Sequence, residues 1–243
     1  MNDRRTRIKI IHYRFQENDA MKALVDAAVA RTLGVEPDRL TNINVPERAP
    51  TVADLNGADA VIIGGAKYFV GDDIPNKEAL AEVLRAAREK KVPVFGICFG
   101  AQFIAHVFGG EVISDPANSE WGTFDMSAAD ESLDDILFAD VPFTFAAQCA
   151  HKDRITKLPP GGILLASSPR CKVQAFVLPG VQIYGVQFHP ERSKADYEAI
   201  LVERGKNYAG DLSQLDAIRA SLKDTPEAAE IMAKFIDRIV LQK

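Results

Sequence analysis

The chain has 243 residues, of which 47% are hydrophobic and 26% are charged, and its formal net charge is -5 at pH 7. This composition is typical of a globular protein and excludes disordered, collagen-like and coiled-coil chains. An acidic chain has no general attraction for nucleic acid or anionic membranes, so we expect neither as a partner. The sequence shows no signal peptide and no apolar run approaching the roughly 18 residues of a membrane span, which predicts a cytoplasmic protein.

The first half of the chain alternates strand-like and helix-like patterns. Short apolar runs predict strands at residues 8–13, 42–45, 60–63 and 92–97. Apolar residues recur at helical spacing after the first of these runs, where Gly34 ends the pattern, and again over residues 78–90. The runs at 60–63 and 92–97 are apolar almost throughout, which is typical of parallel strands covered by helices on both faces.

The second half begins with short β-like runs separated by proline and glycine, at residues 141–147, 162–166, 173–178 and 181–186. Pro179 and Gly180 indicate a hairpin turn between the last two runs. Helices return after residue 189, and the last one is predicted to start at the cap Thr225 and Pro226. Residues 206–224 are polar enough to form a loosely attached excursion.

Together these elements predict a three-layer, doubly wound α/β fold, in which a mostly parallel sheet has a mixed or antiparallel extension. We expect a single domain of residues 1–243, with a core of about residues 7–205 and a C-terminal helical extension of residues 206–243.

The most informative stretch is Gly-Ile-Cys-Phe-Gly-Ala-Gln at residues 96–102. An apolar strand pattern ends just before Cys98, and a helical pattern starts just after it. Glycines stand two residues before and two residues after the cysteine, as a tightly packed strand-to-helix turn requires. Such a turn exposes the sulfur at a helix N-terminus, which stabilises a thiolate. The alternative is a buried structural cysteine, which remains the interpretation for Cys149 and Cys171.

A nucleophilic cysteine needs a base with a fixed tautomer. His189 follows an apolar strand pattern, and Glu191 stands two residues further on, near enough to bond the imidazole. Spacing alone makes His189 the first candidate for the base and does not exclude the other histidines: His12, His106 and His151. The polar stretch at residues 151–153 predicts a loop. We interpret His151 in this stretch as a structural or rim residue.

The two stretches GICFGAQ (residues 96–102) and GVQFHPE (residues 185–191), in this order and about ninety residues apart, resemble the class I, or triad-type, glutamine amidotransferases. The chain is similar to a stand-alone member like the glutaminase domain of GMP synthetase. The resemblance implies that Cys98 is the nucleophile, His189 the acid/base and Glu191 its orienter. It also implies an oxyanion hole from the amides of Gly65 and Phe99.

Gln102 resembles the family's substrate-holding glutamine. The family usually continues its glycine pair with Pro and then Ser-Val, whereas this chain has Ala66, Lys67, Tyr68 and Phe69. Since those residues are bulky, Tyr68 or Phe69 is expected to narrow the substrate pocket.

The resemblance implies cleavage of the γ-amide of glutamine, without a metal or an organic cofactor. Glutamine or a γ-glutamyl small molecule is the expected substrate, and a separate synthase subunit is a candidate partner. Three alternatives stay open: a stand-alone γ-glutamyl hydrolase, a non-catalytic binding homologue, and a cysteine hydrolase of the related DJ-1/PfpI group. The last group commonly has His directly after its nucleophile, where this chain has Phe99.

Overall fold

The computed structural model of the protein describes residues 5–205 and 212–242. Its strands are β1 (Ile10–Arg14), β2 (Leu40–Asn44), β3 (Ala60–Ile63), β4 (Val94–Ile97), β5 (Glu111–Ser114), β6 (Glu120–Ala128), β7 (Thr144–His151), β8 (Asp153–Lys157), β9 (Ile163–Ser167), β10 (Ala175–Leu178) and β11 (Ile183–Val186). Its helices are α1 (Asp19–Leu33), α2 (Lys77–Glu89), α3 (Phe99–Val107), α4 (Lys194–Gly205), α5 (Leu212–Ser221) and α6 (Pro226–Lys234), and α6 continues into a π-helical turn at Phe235–Val240.

Within these described ranges, nine strands form one sheet in the order β2-β1-β3-β4-β11-β10-β9-β6-β7. The pairs from β2 to β11 are parallel, and those from β11 to β7 are antiparallel. β5 and β8 pair separately as a small antiparallel ribbon. The predicted doubly wound sheet with an antiparallel extension is therefore confirmed.

Helices cover both faces of the parallel region. Residues of α1 and α6 pack on one face and belong to one buried cluster with alternate residues of β3 and β4. Residues of α2 and α3 pack on the opposite face with the remaining residues of those strands. Because β3 and β4 are buried on both faces, every position in them is apolar or glycine, which explains their continuous runs in the sequence.

Local signals explain several element boundaries. The side chain of Asn18 accepts a hydrogen bond of 2.9 Å from the Met21 amide and so caps α1 at its N-terminus. Gly34 ends α1 in the left-handed conformation, at φ 65°, as its position in the sequence predicts. Pro226 is the first residue of α6, as predicted, but the Thr225 side chain makes no capping hydrogen bond to the described residues.

Two further expectations need correction. His151 is not in a loop, because it is the last residue of β7 and is buried beside β6. The segment of residues 206–224 was expected to be loosely attached. Its residues 206–211 lie outside the described part of the chain, but residues 212–224 pack against the core. α5 packs on β6, and Leu222 is buried against Tyr197 and Leu201. The division into a core and an extension stays a prediction.

Phe235 gives a test of how far the C-terminal helix contributes to the core. Its ring is fully buried, with its centroid 5.3 Å from that of Phe95 in β4 and 6.4 Å from that of Tyr184 in β11. Phe235→Ala should therefore lower the free energy of unfolding by about 3–5 kcal/mol, measured by urea denaturation.

Phe143→Ala is the matched control, because that ring is 69% exposed and its removal should change stability by less than about 0.5 kcal/mol. Equal losses for the two variants would contradict the packing described for Phe235.

Candidate active site

Cys98 lies at a sharp turn between β4 and α3. Its backbone has φ 53° and ψ -105°, a conformation that is strained for a residue with a side chain. A Cβ atom at Gly100 would lie 2.1 Å from the Ile63 carbonyl oxygen, and one at Gly96 would lie 2.7 Å from the backbone of Gly100. The two glycines are therefore required by close backbone packing, and the elbow predicted from their spacing is present.

Polar groups of the interior contact the sulfur of Cys98. The thiol donates to the carbonyl oxygen of Ala150 at 3.9 Å, and Nε2 of Gln187 donates to Sγ at 3.7 Å. The contact with Gln187 was not predicted from the sequence, although Gln187 stands inside the GVQFHPE motif that singled out His189.

His189 and Glu191 form a buried hydrogen bond. His189 Nδ1 and Glu191 Oε1 are 2.8 Å apart, which is the contact that their spacing in the sequence predicts. Thr32 Oγ1 donates to the Glu191 carbonyl oxygen at 3.2 Å, so α1 holds the turn that carries both side chains. Because the carboxylate engages Nδ1, Nε2 is the ring nitrogen that can exchange a proton with a reacting group.

Glu191 remains ionised in spite of its burial. Burial by itself favours the neutral carboxyl group, but the charge and hydrogen bond of His189 and the charge of Arg192 outweigh it and hold the pKa of Glu191 below its usual value. Nε of Arg192 is 3.3 Å from Glu191 Oε1. Arg192 is a second residue that the sequence analysis missed, and its only signal was its place directly after the motif.

Gly65 lies against both His189 and Cys98. A Cβ atom at this position would be 2.9 Å from Cε1 of His189 and 3.6 Å from Cβ of Cys98. The loop after β3 and the turn after β11 thus meet at the elbow, although they are distant in sequence. This is the place at which the family resemblance implies an oxyanion-hole loop, and that role of Gly65 stays a prediction.

Gln102 is almost fully buried one helical turn after Cys98. Its Nε2 donates to the Asp153 carbonyl oxygen at 2.9 Å and to Gln187 Oε1 at 3.2 Å. Since a side-chain amide has two N–H groups, both donors of Gln102 are used within the protein. Substrate holding by Gln102 stays a prediction, and its carbonyl oxygen is the atom that remains for that role.

Two cavities open beside Cys98, with volumes of about 170 and 310 Å³. His189, Gly65 and Arg192 line the smaller one. The larger one is lined by residues of the elbow helix and of the β-extension: Gln102, Trp121, His151, Lys152 and Asp153.

Both cavities share a rim in which Lys67 forms an ion pair with Glu17. Tyr68 lines the larger cavity, and its expected narrowing of the substrate pocket stays a prediction. Phe69 lines neither cavity, because its ring lies over Gly71.

A buried polar cluster joins the end of β7 to the start of β6. His151 Nε2 is 3.0 Å from Glu120 Oε2, and the possible ligand atoms of Glu120, Cys149 and His151 lie within 4.8 Å of one another. Such residues can bind zinc. The Glu120 carboxylate, however, already accepts hydrogen bonds from Ser168 and Gln174, so its oxygens have partners within the protein. This arrangement agrees with a structural role for His151.

Known proteins share both the sequence pattern and the fold of this chain. The model of the glutamine amidotransferase class-I family matches residues 18–205. A glutamine-hydrolyzing GMP synthase subunit from Pyrococcus furiosus is 33% identical over 163 residues, which are 67% of this chain and 85% of the relative. Among solved structures, a glutamine amidotransferase from Thermotoga maritima has a TM-score of 0.75 at 17% identity, covering 96% of this chain and 98% of that one.

A putative GMP synthase subunit from Thermoplasma acidophilum has a TM-score of 0.68 at 22% identity, covering 97% of this chain and 98% of that one. At these identities the two structures support the fold alone. The family match and the Pyrococcus relative go further: this chain belongs to the class I glutamine amidotransferases. The enzyme class predicted from the two motifs is confirmed. None of the helices in residues 5–205 and 212–242 is long and apolar enough to cross a bilayer.

The three thiols should differ widely in reactivity. Burial, with the nearby Glu120 carboxylate, raises the pKa of Cys149 well above its usual value and that of Cys171 to about 12. Cys98 instead lines both cavities. Iodoacetamide should therefore alkylate Cys98 in the folded protein at pH 8 at least about a hundredfold faster than the other two thiols, because only a thiolate reacts.

Mass mapping of the labelled peptides measures these rates, and denatured protein gives the control in which all three thiols react. Label on Cys149 before Cys98 would contradict the assignment of Cys98 as the accessible thiol.

Proposed function

We propose that this chain hydrolyses the γ-amide of glutamine to glutamate and ammonia through a thioester on Cys98. The observation that carries the proposal is the strained elbow that holds Cys98 beside Gly65 and His189. The buried hydrogen bond of 2.8 Å between His189 and Glu191 supports the same assignment. The proposed nucleophile Cys98 and the proposed base His189 thus line one cavity, and Glu191 bonds the imidazole from the buried side.

In the first half-reaction, the Cys98 sulfur attacks the γ-carbonyl carbon and His189 takes the thiol proton. The negative oxygen of the tetrahedral intermediate lies between the backbone amides of Gly65 and Phe99, and one such donor contributes about 2.7–4 kcal/mol in comparable sites. When the C–N bond breaks, protonated His189 gives its proton to the departing nitrogen, so ammonia leaves and a thioester remains.

In the second half-reaction, a water molecule enters on the side that ammonia has left. His189 takes a proton from the water, and the resulting hydroxide attacks the thioester carbonyl carbon. The C–S bond then breaks, glutamate is released and the Cys98 sulfur recovers its proton from His189. Glu191 stabilises the imidazolium that forms in both halves and keeps the ring in one tautomer.

The charges at the rim support an amino-acid substrate. Lys67 and Glu17 present opposite charges next to Cys98, and a glutamine backbone carries a carboxylate and an ammonium group. Substrate binding can exchange this exposed ion pair for two pairs with the ligand, at little cost because an exposed pair contributes only about 0–1 kcal/mol.

We propose further that a separate synthase chain consumes the ammonia. The Pyrococcus relative is by name one subunit of a glutamine-hydrolyzing GMP synthase, and this chain spans 85% of it. A second candidate is a stand-alone γ-glutamyl hydrolase, which must have an ordered loop after β3 without a partner. This candidate is favoured by the contacts of that loop within the chain: Lys67 pairs with Glu17, and the Tyr68 ring centroid lies 6.4 Å from that of Phe15.

Replacement of Glu191 tests the proposed role of its carboxylate. Glu191→Gln preserves a hydrogen bond to His189 but removes the charge that stabilises imidazolium, so kcat/KM for glutamine should fall by about a hundredfold or more. The loss should be smaller than that of Cys98→Ala, which should abolish hydrolysis. Coupled detection of glutamate measures both.

Glu82→Gln is the matched control, because Glu82 is exposed on α2. An unchanged kcat/KM in folded Glu191→Gln protein would rule out the proposed role of the Glu191 charge in stabilising imidazolium.

A substrate panel decides between the two candidate functions. The isolated chain should hydrolyse glutamine slowly but measurably, since synthase partners commonly complete such sites by ordering loops. The measurement is kcat/KM for glutamine, γ-glutamyl peptides and γ-glutamyl amines, with Cys98→Ala protein as the blank. If kcat/KM for a γ-glutamyl compound exceeds that for glutamine by about a hundredfold, the difference in transition-state binding is about 2.7 kcal/mol. That result would reject the ammonia-donor function in favour of the γ-glutamyl hydrolase.

A further inference from the structure

Gln187 is a buried amide in direct contact with the sulfur of Cys98. It follows β11 immediately, and its side chain is 0% exposed. β11 runs parallel to β4, so the two strands end side by side, and the amide of Cys98 donates to the Val186 carbonyl oxygen at 2.8 Å. The backbone N–H of Gln187 donates to the Gln174 carbonyl oxygen at 2.7 Å. The backbone therefore fixes where the Gln187 side chain begins.

The orientation of this amide is determined by a chain of hydrogen bonds that starts at a backbone carbonyl. The oxygen of Asp153 can only accept, so Gln102 must turn its NH2 group toward it. The second N–H of that group points at Gln187 Oε1, at 3.2 Å. Gln187 must then present its own NH2 group to Cys98, at a distance of 3.7 Å from Sγ.

We propose that Gln187 is a catalytic residue that donates a hydrogen bond to the Cys98 thiolate, and that Gln102 is a positioning residue that holds the Gln187 amide in the donating orientation. This inference rests on the proposed function, in which Cys98 is the nucleophile. It gives Gln102 a task in the folded enzyme before substrate arrives. It also separates the two glutamines, because only Gln187 touches a reacting atom.

The hydrogen bond has its largest effect before the substrate is attacked. A buried sulfur anion loses solvation by water, and an N–H donor replaces part of that solvation. The negative charge leaves the sulfur as the C–S bond forms, so the donor stabilises the attacking thiolate more than the thioester. Hydrogen bonds to charged groups are strong enough for the loss of this donor to reduce the thiolate fraction roughly tenfold to a hundredfold.

Other charged and titratable groups also face the elbow and must be left in place in any test. They come from the rim, the turn after β11, helix α4, the end of β7 and the start of β8. These groups are Glu17, Lys67, His189, Glu191, Arg192, Glu203, Cys149, His151, Lys152 and Asp153. Substitutions at Gln187 and Gln102 change none of these charges.

The test is the pH dependence of alkylation of Cys98 by iodoacetamide, followed by mass mapping. Gln187→Met removes the donor at similar volume and should move the midpoint of the profile upward by about one to two pH units, which corresponds to the loss of thiolate expected above. Gln102→Met leaves the Gln187 NH2 group in place but no longer fixes its orientation, so the midpoint should shift upward by less. The double variant should shift no further than Gln187→Met, because Gln102 acts only through Gln187.

Gln148→Met is the matched control. That buried glutamine donates instead to the Lys223 carbonyl oxygen, so its loss should leave the midpoint unchanged. Thermal denaturation identifies the variants that remain folded, and Gln102→Met keeps the proposal testable if Gln187→Met does not fold. The proposal is overturned if a folded Gln187→Met protein has the same midpoint as wild type. If Gln187→Met does not fold, the same midpoint in folded Gln102→Met protein overturns it.

Alkylation requires no turnover, so the two proposals fail separately. A shifted midpoint in a chain that hydrolyses neither glutamine nor γ-glutamyl compounds would support the hydrogen bond and reject the proposed function. An active chain whose midpoint does not change in Gln187→Met protein would support the proposed function and reject the hydrogen bond.

Discussion

The backbone conformation of Cys98 is the constraint on which the rest of the site depends. At φ 53° and ψ -105° the chain changes direction within one residue, so β4 delivers the sulfur to the edge of the sheet and α3 starts immediately behind it. That turn requires glycine at positions 96 and 100, where a Cβ atom would lie against the Gly100 backbone and the Ile63 carbonyl oxygen, respectively. The parallel neighbours β3 and β11 end at the same edge and bring Gly65 and His189 to the sulfur. The site is thus a product of the strand order.

Much of this arrangement was predictable because it is local in the sequence. The two glycines around Cys98 and the separation of Glu191 from His189 each encode their own geometry, and continuous apolar runs identified β3 and β4 as central strands. The antiparallel extension was harder to interpret. His151 looked like a loop residue because Lys152 and Asp153 follow it, whereas in the structure β6 pairs with β7 and buries it beside Glu120. A cross-strand partner about thirty residues away leaves no mark in the local pattern.

Two of the residues that the sequence analysis missed share a physical reason. Gln187 and Glu17 act through contacts with groups that are distant in the chain, Cys98 and Lys67, so their residue types alone carried no signal. Gln102 shows the same limit in another form. Its position in the motif suggested a substrate contact, but the carbonyl oxygen of Asp153 and the amide of Gln187 occupy both of its donors. The hydrogen-bond partners of a buried amide are known only from the folded structure.

The strained backbone at Cys98 also has a thermodynamic consequence for the whole fold. A residue held in such a conformation costs of order 1–3 kcal/mol, a noticeable fraction of the roughly 5–15 kcal/mol that keeps a domain folded. Glycine at the same position would adopt this geometry without a side chain to strain. Selection for stability alone would therefore favour a glycine there and an inert protein. The cysteine is retained at an energetic disadvantage, which makes this turn a place where folding stability and reactivity oppose each other.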